Sequence, residues 1–252
     1  MSSESRILLE TRGVSITFGG LKAVQDVSLA LREGIVTTLV GPNGAGKTTL
    51  FNLITGQLQA QTGDVQWLGS SILGQPQWQI AQAGIGRTFQ DLKLFDQMTV
   101  LENVLAVTER DAWLWQSGGA GGARARRERA ESALAQVGLA DRRNTRALDL
   151  AYAERKFLSI ARILGAGARL WLLDEPASGL DPRSYERFLN LLRDQVKQGI
   201  TICIIEHNLD IVKGISDRIA FLDQGRLLAE GDPQSILSDP ALAAIYFGER
   251  NE

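Results

Sequence analysis

The sequence is poor in two residues that often carry chemistry. A single cysteine, Cys203, leaves no partner for an internal disulfide, and its place in the apolar run 200–205 reads as a buried strand residue rather than a nucleophile. A single histidine, His207, excludes any multi-histidine zinc site. Charge of one sign is also missing: Lys+Arg 27 against Asp+Glu 29 gives a formal net charge of -2, so no global electrostatic case for nucleic acid exists. No apolar run approaches the roughly 20 residues needed to cross a bilayer. The opening MSSESRILLE lacks the basic-then-apolar layout of a signal peptide. The expectation is a chain that stays in the cytoplasm and meets a membrane only through a partner. With 252 residues, 44% of them hydrophobic, and 26 glycines, the chain can bury a substantial core and has the composition of an ordinary α/β protein.

Against these absences stands the stretch GPNGAGKTT, residues 41–49. Gly41, Gly46, Lys47 and Thr48 fit the Gly-x-x-x-x-Gly-Lys-Ser/Thr pattern, with Asn43, Gly44, Ala45 and Thr49 completing the loop. It follows the β-branched run 35–40, and a strand feeding a glycine turn and then a helix is the context this motif requires. The glycines let backbone N–H groups close on phosphate oxygens at the positive end of the following helix. Lys47 is expected to reach the β- and γ-phosphates, and the Thr48 hydroxyl to ligate Mg²⁺.

In chain order, residues 7–18 and 23–31 read as extended runs forming a small antiparallel sheet before the nucleotide core. Phe18 ends the first run, where its ring could either stack on a base or pack as an ordinary strand residue. A helix over 48–55 with Gly56 as its C-cap is followed by an extended run over 63–67 and a helix over 76–83. Gln90 is expected to close a short strand, and Thr99 to start a helix running to about Arg110. The stretch 111–122, DAWLWQSGGAGG, is the clearest loop, with Trp113 and Trp115 as satellite core or as apolar surface. The helix over 123–137 carries Arg124, Arg126, Arg127 and Arg129, which read as a solvated face.

From about Ala168 strands and helices alternate. An apolar strand over 169–173 ends in Asp174-Glu175, and a helix from Pro182 presents Tyr185, Phe188, Leu189, Leu192 and Val196 at helical spacing. The strand over 200–205 ends at Glu206-His207, and a hairpin around Gln224-Gly225 precedes two short helices over 233–237 and 240–247. An acidic residue closing an apolar strand is what a phosphate-loop protein needs as its second magnesium element, which nominates Asp174 opposite Thr48. Glu175 is then placed to act as general base on a water at the γ-phosphate. His207, delivered by another strand to the same sheet edge, could bond the γ-phosphate and hold Glu175 in line.

Together these residues resemble the ATP-binding subunit of an ABC transporter. The similarity spans nearly the whole chain in the family's motif order: Phe18 as the adenine-stacking aromatic, the phosphate loop, Gln90 as the Q-loop glutamine, LWLLDE ending in Asp174-Glu175, the D-loop with Asp181, and His207 as the switch histidine. FGGLKAVQDVSL, GIGRTFQDLKLF with MTVLENV, and GDPQSILSDPALAAIYFGE look most like the branched-chain amino-acid importer subfamily; urea and amide importers and the lipopolysaccharide-export ATPase are similar too. The resemblance implies one α/β ABC ATPase domain over 1–252. A parallel-sheet core with an N-terminal antiparallel β subdomain would use 1–90 and 166–252, with an inserted helical subdomain over 91–165. It also implies ATP and Mg²⁺ as cofactors, with Gln90 contributing to catalysis and to the metal. Implied partners are a second, non-identical ATPase subunit and transmembrane permease subunits, with a substrate-binding protein acting indirectly. The permease would dock near Gln90, with Leu92, Leu94 and Phe95 as contacts, placing the chain peripherally on the cytoplasmic face of the inner membrane. A soluble ABC protein of ribosomes or DNA would carry tandem ATPase domains or a long coiled-coil insertion, which this sequence lacks.

One segment departs from the family. Where it has Leu-Ser-Gly-Gly-Gln, this chain has Leu150, Ala151, Tyr152, Ala153 and Glu154. Ala and Tyr at the second and third places are familiar in the subfamily; Ala153 and Glu154 are not. In the family this signature closes in trans on the γ-phosphate held by the partner. A missing serine hydroxyl removes a bond to a charged group worth about 1.5–3 kcal/mol, Ala153 adds a methyl where backbone approaches phosphate, and Glu154 adds a negative charge. The expectation is a competent site at this chain's phosphate loop and an impaired one at its signature. A weakly hydrolysing regulatory half of a heterodimer is the alternative.

Overall fold

The glycine-rich turn at 19–20 folds β1 (Ile7–Phe18) back on β2 (Leu21–Arg32) as an antiparallel pair. After the phosphate loop the chain returns to this sheet: β4 (Thr62–Trp67) pairs with the other edge of β1, and β5 (Ser70–Ser71) lies outside it. The resulting sheet has the order β2-β1-β4-β5. The computed structural model describes residues 6–108 and 120–248.

The second sheet has the order β10-β9-β3-β8-β7-β6. Its strands are β3 (Val36–Val40), β6 (Ile85–Arg87), β7 (Leu170–Asp174), β8 (Thr201–Ile205), β9 (Arg218–Asp223) and β10 (Arg226–Gly231). The ladders from β9 through β3, β8 and β7 to β6 are parallel, and β10 closes the edge as an antiparallel hairpin with β9. Every residue of β3, β7 and β8 is buried, as a parallel sheet covered on both faces requires.

Side chains alternate across this sheet, so each strand feeds two cores. Leu170 and Leu172 point into the core shared with the antiparallel sheet and α1 (Lys47–Ile54); Trp171 and Leu173 point into the core under the later helices. Trp171, fully buried, keeps its indole satisfied by donating to the Ala168 carbonyl at 3.2 Å. Cys203 is buried in β8 and burial raises its thiol pKa, which fits the structural reading.

After α2 (Gln77–Ala83), the described chain between β6 and β7 is helical: α3 (Val100–Leu105), α4 (Ala120–Gln136) and α5 (Tyr152–Gly165), with short 3₁₀ turns at 140–142 and 147–149. Thr99 and Glu102 cap α3 reciprocally, each side chain taking the other's backbone N–H. On α4, Ala130, Ala133 and Leu134 face the core, while Arg124–Glu128 and Arg127–Glu131 pair on the exposed side. Trp113 and Trp115 lie outside the described residues. In α6 (Pro182–Lys197), Phe188, Leu189 and Leu192 are buried as their spacing predicts, Leu191 and Gln195 join them, and Tyr185 and Val196 pack at the margin. The chain ends with α7 (Leu209–Ile215), α8 (Pro233–Leu237) and α9 (Pro240–Gly248).

Two elements are shorter than the sequence suggests. The helix starting at Thr99 stops at Leu105 rather than near Arg110. The strand expected to close at Gln90 stops at Arg87, because beyond it only Thr88 reaches β7, through its N–H to Leu172 O and its hydroxyl to the Asp174 N–H. Gln90 lies beyond, in the connecting loop.

Candidate nucleotide site

The carboxyl ends of β3, β7 and β8 meet at one edge of the parallel sheet, where ligands of such sheets bind. β3 runs into the loop 41–46 and then α1. Two of its glycines are obligatory: at Gly41 (φ 145) a Cβ would stand 1.9 Å from Leu222 O, and at Gly46 (φ 98) one would stand 2.3 Å from Ala23 O. α1 begins with no side-chain cap and no acid in its first turn, leaving its positive end facing the loop. Lys47 is buried and donates to the carbonyls of Gly41 (2.7 Å) and Pro42 (2.8 Å), which spans the loop with its ammonium.

A cleft of about 920 Å³ opens over this loop, lined among others by Phe18, Asn43, Gly44, Ala45, Gly46, Lys47, Thr48 and Thr49. Phe18 is 44% exposed. A ring left open beside the cleft fits the stacking role better than that of a core strand residue.

The Thr48 hydroxyl, in the first turn of α1, stands close enough to the Asp174 carboxylate at the end of β7 to pull its pKa down. Asp174 is 5% exposed, and burial raises its pKa against the Arg87 charge and the Thr48 hydroxyl, which pull it down. Arg87 Nη2 lies 3.5 Å from Asp174 Oδ2; its other amine donates to Asn52 Oδ1 (2.7 Å) and Thr55 Oγ1 (3.1 Å). Its plane is also flanked by the rings of Phe51 and Phe89. A hydroxyl and a carboxylate close together are the hard oxygen donors Mg²⁺ takes, with water and phosphate oxygens filling its other positions. Among the described residues no group of three His, Cys, Asp or Glu could hold a metal by itself. The residues present therefore fit an Mg²⁺ that would take some of its ligands from outside the protein better than a protein cage.

Glu175 follows β7 at φ 45, a conformation a glutamate keeps only when its surroundings hold it there. Its N–H donates to Ile205 O (3.1 Å), and its carbonyl accepts from Lys156 Nζ (3.0 Å). The side chain sits between Gln90, whose amide donates to Oε2 (3.3 Å), and His207, whose Nδ1 is 3.7 Å from Oε1. A pocket of about 370 Å³ joins Gln90, Glu175 and His207 to the start of the phosphate loop.

Behind Glu175 lies a buried charge cluster that sequence reasoning missed. Lys156 is buried and its pKa is pushed down by that burial, against the attraction of Glu206 and Glu175. Glu206 is 2% exposed, accepts from the Ala177 N–H (3.2 Å), and is raised to about 7, chiefly by burial. Arg87 was missed as well. The one available signal was that charged residues sat next to the strand ends nominated for chemistry.

The remaining nominated residues stand apart. Ala151, Tyr152, Ala153 and Glu154 open α5 and line neither the cleft nor the pocket at Glu175. Glu154 Oε2 accepts the Ala151 N–H (2.9 Å) and Oε1 lies 3.4 Å from Arg142, so its charge covers the helix start. Tyr152, 52% exposed, lays its ring over Gly179, where a Cβ would stand 2.9 Å from Tyr152 Cε1. Asp181 caps α6, accepting the N–H groups of Arg183 and Ser184 at 3.1 Å each. Of the residues expected at a permease contact, Leu92 lines a groove of about 440 Å³ with Trp78 and Phe89, and Phe95 is exposed. Leu94 instead packs against the helical core.

The model of the ABC transporter family matches residues 24–178. The chain belongs to the ABC transporter family. This ABC ATPase is 39% identical over 253 residues to the high-affinity branched-chain amino acid transport ATP-binding protein LivG of Salmonella typhimurium, covering 97% of this chain and 99% of the relative. It matches the ADP conformation of MJ1267, an ATP-binding cassette of an ABC transporter, with a TM-score of 0.85 and 32% identity over 97% of this chain and 100% of that one. It also matches the dimeric structure of MJ0796, a bacterial ABC transporter cassette, with a TM-score of 0.79 and 25% identity over 90% of this chain and 99% of that one. The mixed α/β architecture expected from the resemblance is the one observed. No described helix is long and apolar enough to cross a membrane.

Proposed function

We propose that this chain is the ATP-hydrolysing subunit of an importer for branched-chain amino acids or related amino acids and amides. The observation that carries hydrolysis is Glu175, held between Gln90 and His207 at the mouth of the phosphate loop. The substrate class rests on the near full-length similarity to LivG.

In this reading Phe18 stacks on the adenine, and the N–H groups of residues 43–49 receive the phosphates. Lys47 turns from the Gly41 and Pro42 carbonyls toward the β- and γ-phosphates. Thr48 and Asp174 would hold Mg²⁺, assisted by Gln90, while Arg87 holds Asp174 in place. The metal, when bound, neutralises charge developing on the phosphate oxygens. Glu175 accepts the proton of the water that attacks the γ-phosphorus, and His207 and Gln90 keep its carboxylate in line.

The second half of the site comes from another ATPase subunit, as the dimeric MJ0796 relative suggests. Glu154 on the α5 terminus disfavours this chain's own signature as a γ-phosphate ligand, so the partner is a non-identical subunit, and Asp181 sits at the shared interface. Residues 91–165 act as the helical subdomain inserted into a core formed by 1–90 and 166–252. A short helix of a permease subunit docks in the groove beside Trp78 and Leu92, placing the chain peripherally on the cytoplasmic membrane face.

Proteins copurifying with the tagged chain from detergent-solubilised membranes, together with ATP turnover of that complex, test the proposal. Permease subunits, a second ATPase and turnover stimulated by a leucine-loaded binding protein are expected. Turnover indifferent to amino-acid-loaded binding protein would contradict the substrate class.

A further inference from the structure

The pocket at Glu175 has one wall that comes from the far end of the chain. Tyr246, on α9, lines it together with Gly41, Asn43, Gln90, Glu175 and His207, and its hydroxyl donates to the backbone carbonyl of His207, 39 residues earlier. We propose that Tyr246 is a positioning residue of the hydrolytic pocket, fixing the backbone from which His207 reaches toward Glu175. This deepens the ATPase reading above and rests on it.

The imidazole does not fix itself. It is 53% exposed, and its Nδ1 stands 3.7 Å from Glu175 Oε1, beyond hydrogen-bond reach. Its direction is therefore set by the backbone, and that backbone has left the ladder of β8, which ends at Ile205. Its neighbours are tied down locally: Glu206 accepts from the Ala177 N–H, and the Asn208 side chain caps α7 by accepting from the Asp210 N–H at 2.9 Å. The carbonyl of residue 207 itself is held by Tyr246.

Tyr246 is suited to hold it. Its ring meets Phe221 of β9 edge-on, with centroids 6.3 Å apart at 64°. Both belong to a small core with Val40, Val212, Ile219, Ile236 and Leu242. Val40 immediately precedes Gly41, so one apolar cluster supports the phosphate loop on one side and the tyrosine on the other. A tyrosine serving only to dock α9 would need the ring and not the hydroxyl.

Removing the hydroxyl while keeping the ring separates the two roles. Because His207 is the sole histidine, the full-length chain labelled with ¹³C-histidine and prepared without a histidine tag gives one imidazole signal to follow. In Tyr246→Phe that signal should shift and broaden while the melting temperature holds. Turnover of the complex should fall about fivefold with an unchanged KM for ATP, the scale of one lost hydrogen bond. In a His207→Ala background the same change should cost nothing further. An imidazole signal that coincides with wild type overturns the proposal whatever the turnover, as does a loss that persists without His207. A shifted signal in a chain whose complex shows no turnover supports the positioning role and contradicts the ATPase reading instead.

Discussion

Glu175 and His207 face each other across neighbouring parallel strands, Oε1 of the glutamate 3.7 Å from Nδ1 of the histidine. The register brings them close: Asp174 stands opposite Ile205, so the chain leaves β7 and β8 side by side, with Glu175 one residue and His207 two residues past the ladder. If the carboxylate is the base and the imidazole its guide, their losses differ in kind. Glu175→Gln should lower single-turnover hydrolysis about 100-fold or more, and His207→Ala should lower it while ATP binding is retained in both. Phosphate release and nucleotide binding, measured on the same preparations, check this. A Glu175→Gln complex with near wild-type phosphate release would remove Glu175 from the chemistry.

Glu206 gives the fold a pH dependence. Its carboxyl is raised to about 7, largely by burial, from a reference of 4.5. The protonated form is favoured in the folded state, so the associated stability is complete below about 4.5 and is lost as pH rises through about 7. The full loss is about 3 kcal/mol. Glu206→Gln should match wild type in urea unfolding near pH 4.5 and exceed it near pH 8. A gap that does not change with pH would refute the assignment.

Gly46→Ala tests the phosphate loop as a shaped object. A Cβ there meets Ala23 O at 2.3 Å in a left-handed backbone, a strain of about 1–3 kcal/mol on conformation alone. ATP affinity should fall by at least tenfold with a modest drop in melting temperature. Wild-type affinity would mean that the loop is soft enough to reshape.

Much of this was legible in the sequence, and what was not has physical causes. Gly41, Asp174, Glu175 and His207 were readable because each stands at or just past the end of an apolar strand, and Lys47 and Thr48 because they complete the glycine-loop pattern where α1 begins. The Lys156–Glu206 cluster and the Arg87–Asp174 pair were not, because one arises where α5 meets the chain leaving β7 and β8 and the other where β6 meets β7, and no local pattern encodes those meetings. Gln90 was expected to close a strand; that strand ends at Arg87, and its contact with Glu175 came only with the structure. Phe18 was open between two roles in the sequence; in the structure its ring is exposed beside the cleft. Asp181, directly before the Pro182 that opens α6, carried the local sign of a helix cap, and its carboxylate is engaged there.

Glu154 invites a gain-of-function test. Its carboxylate lies on the Ala151 N–H at the start of α5, where a phosphate of the partner's nucleotide would need to approach. Neutralising it as Glu154→Gln, with Ala153→Gly, should raise ATP turnover of the assembly up to about twofold, as the second site comes level with the first once a like charge near a phosphate is removed. Unchanged turnover would show that the altered signature is not a brake.

On the proposed function two composite sites are unequal, one built on this chain's phosphate loop and Glu175, the other closed by its signature. Steady-state ATP turnover of the assembled complex, measured with Glu175→Gln and separately with the partner's corresponding glutamate changed to glutamine, tests it most directly. Glu175→Gln should remove nearly all turnover and the partner change little. Equal losses from the two changes would contradict it.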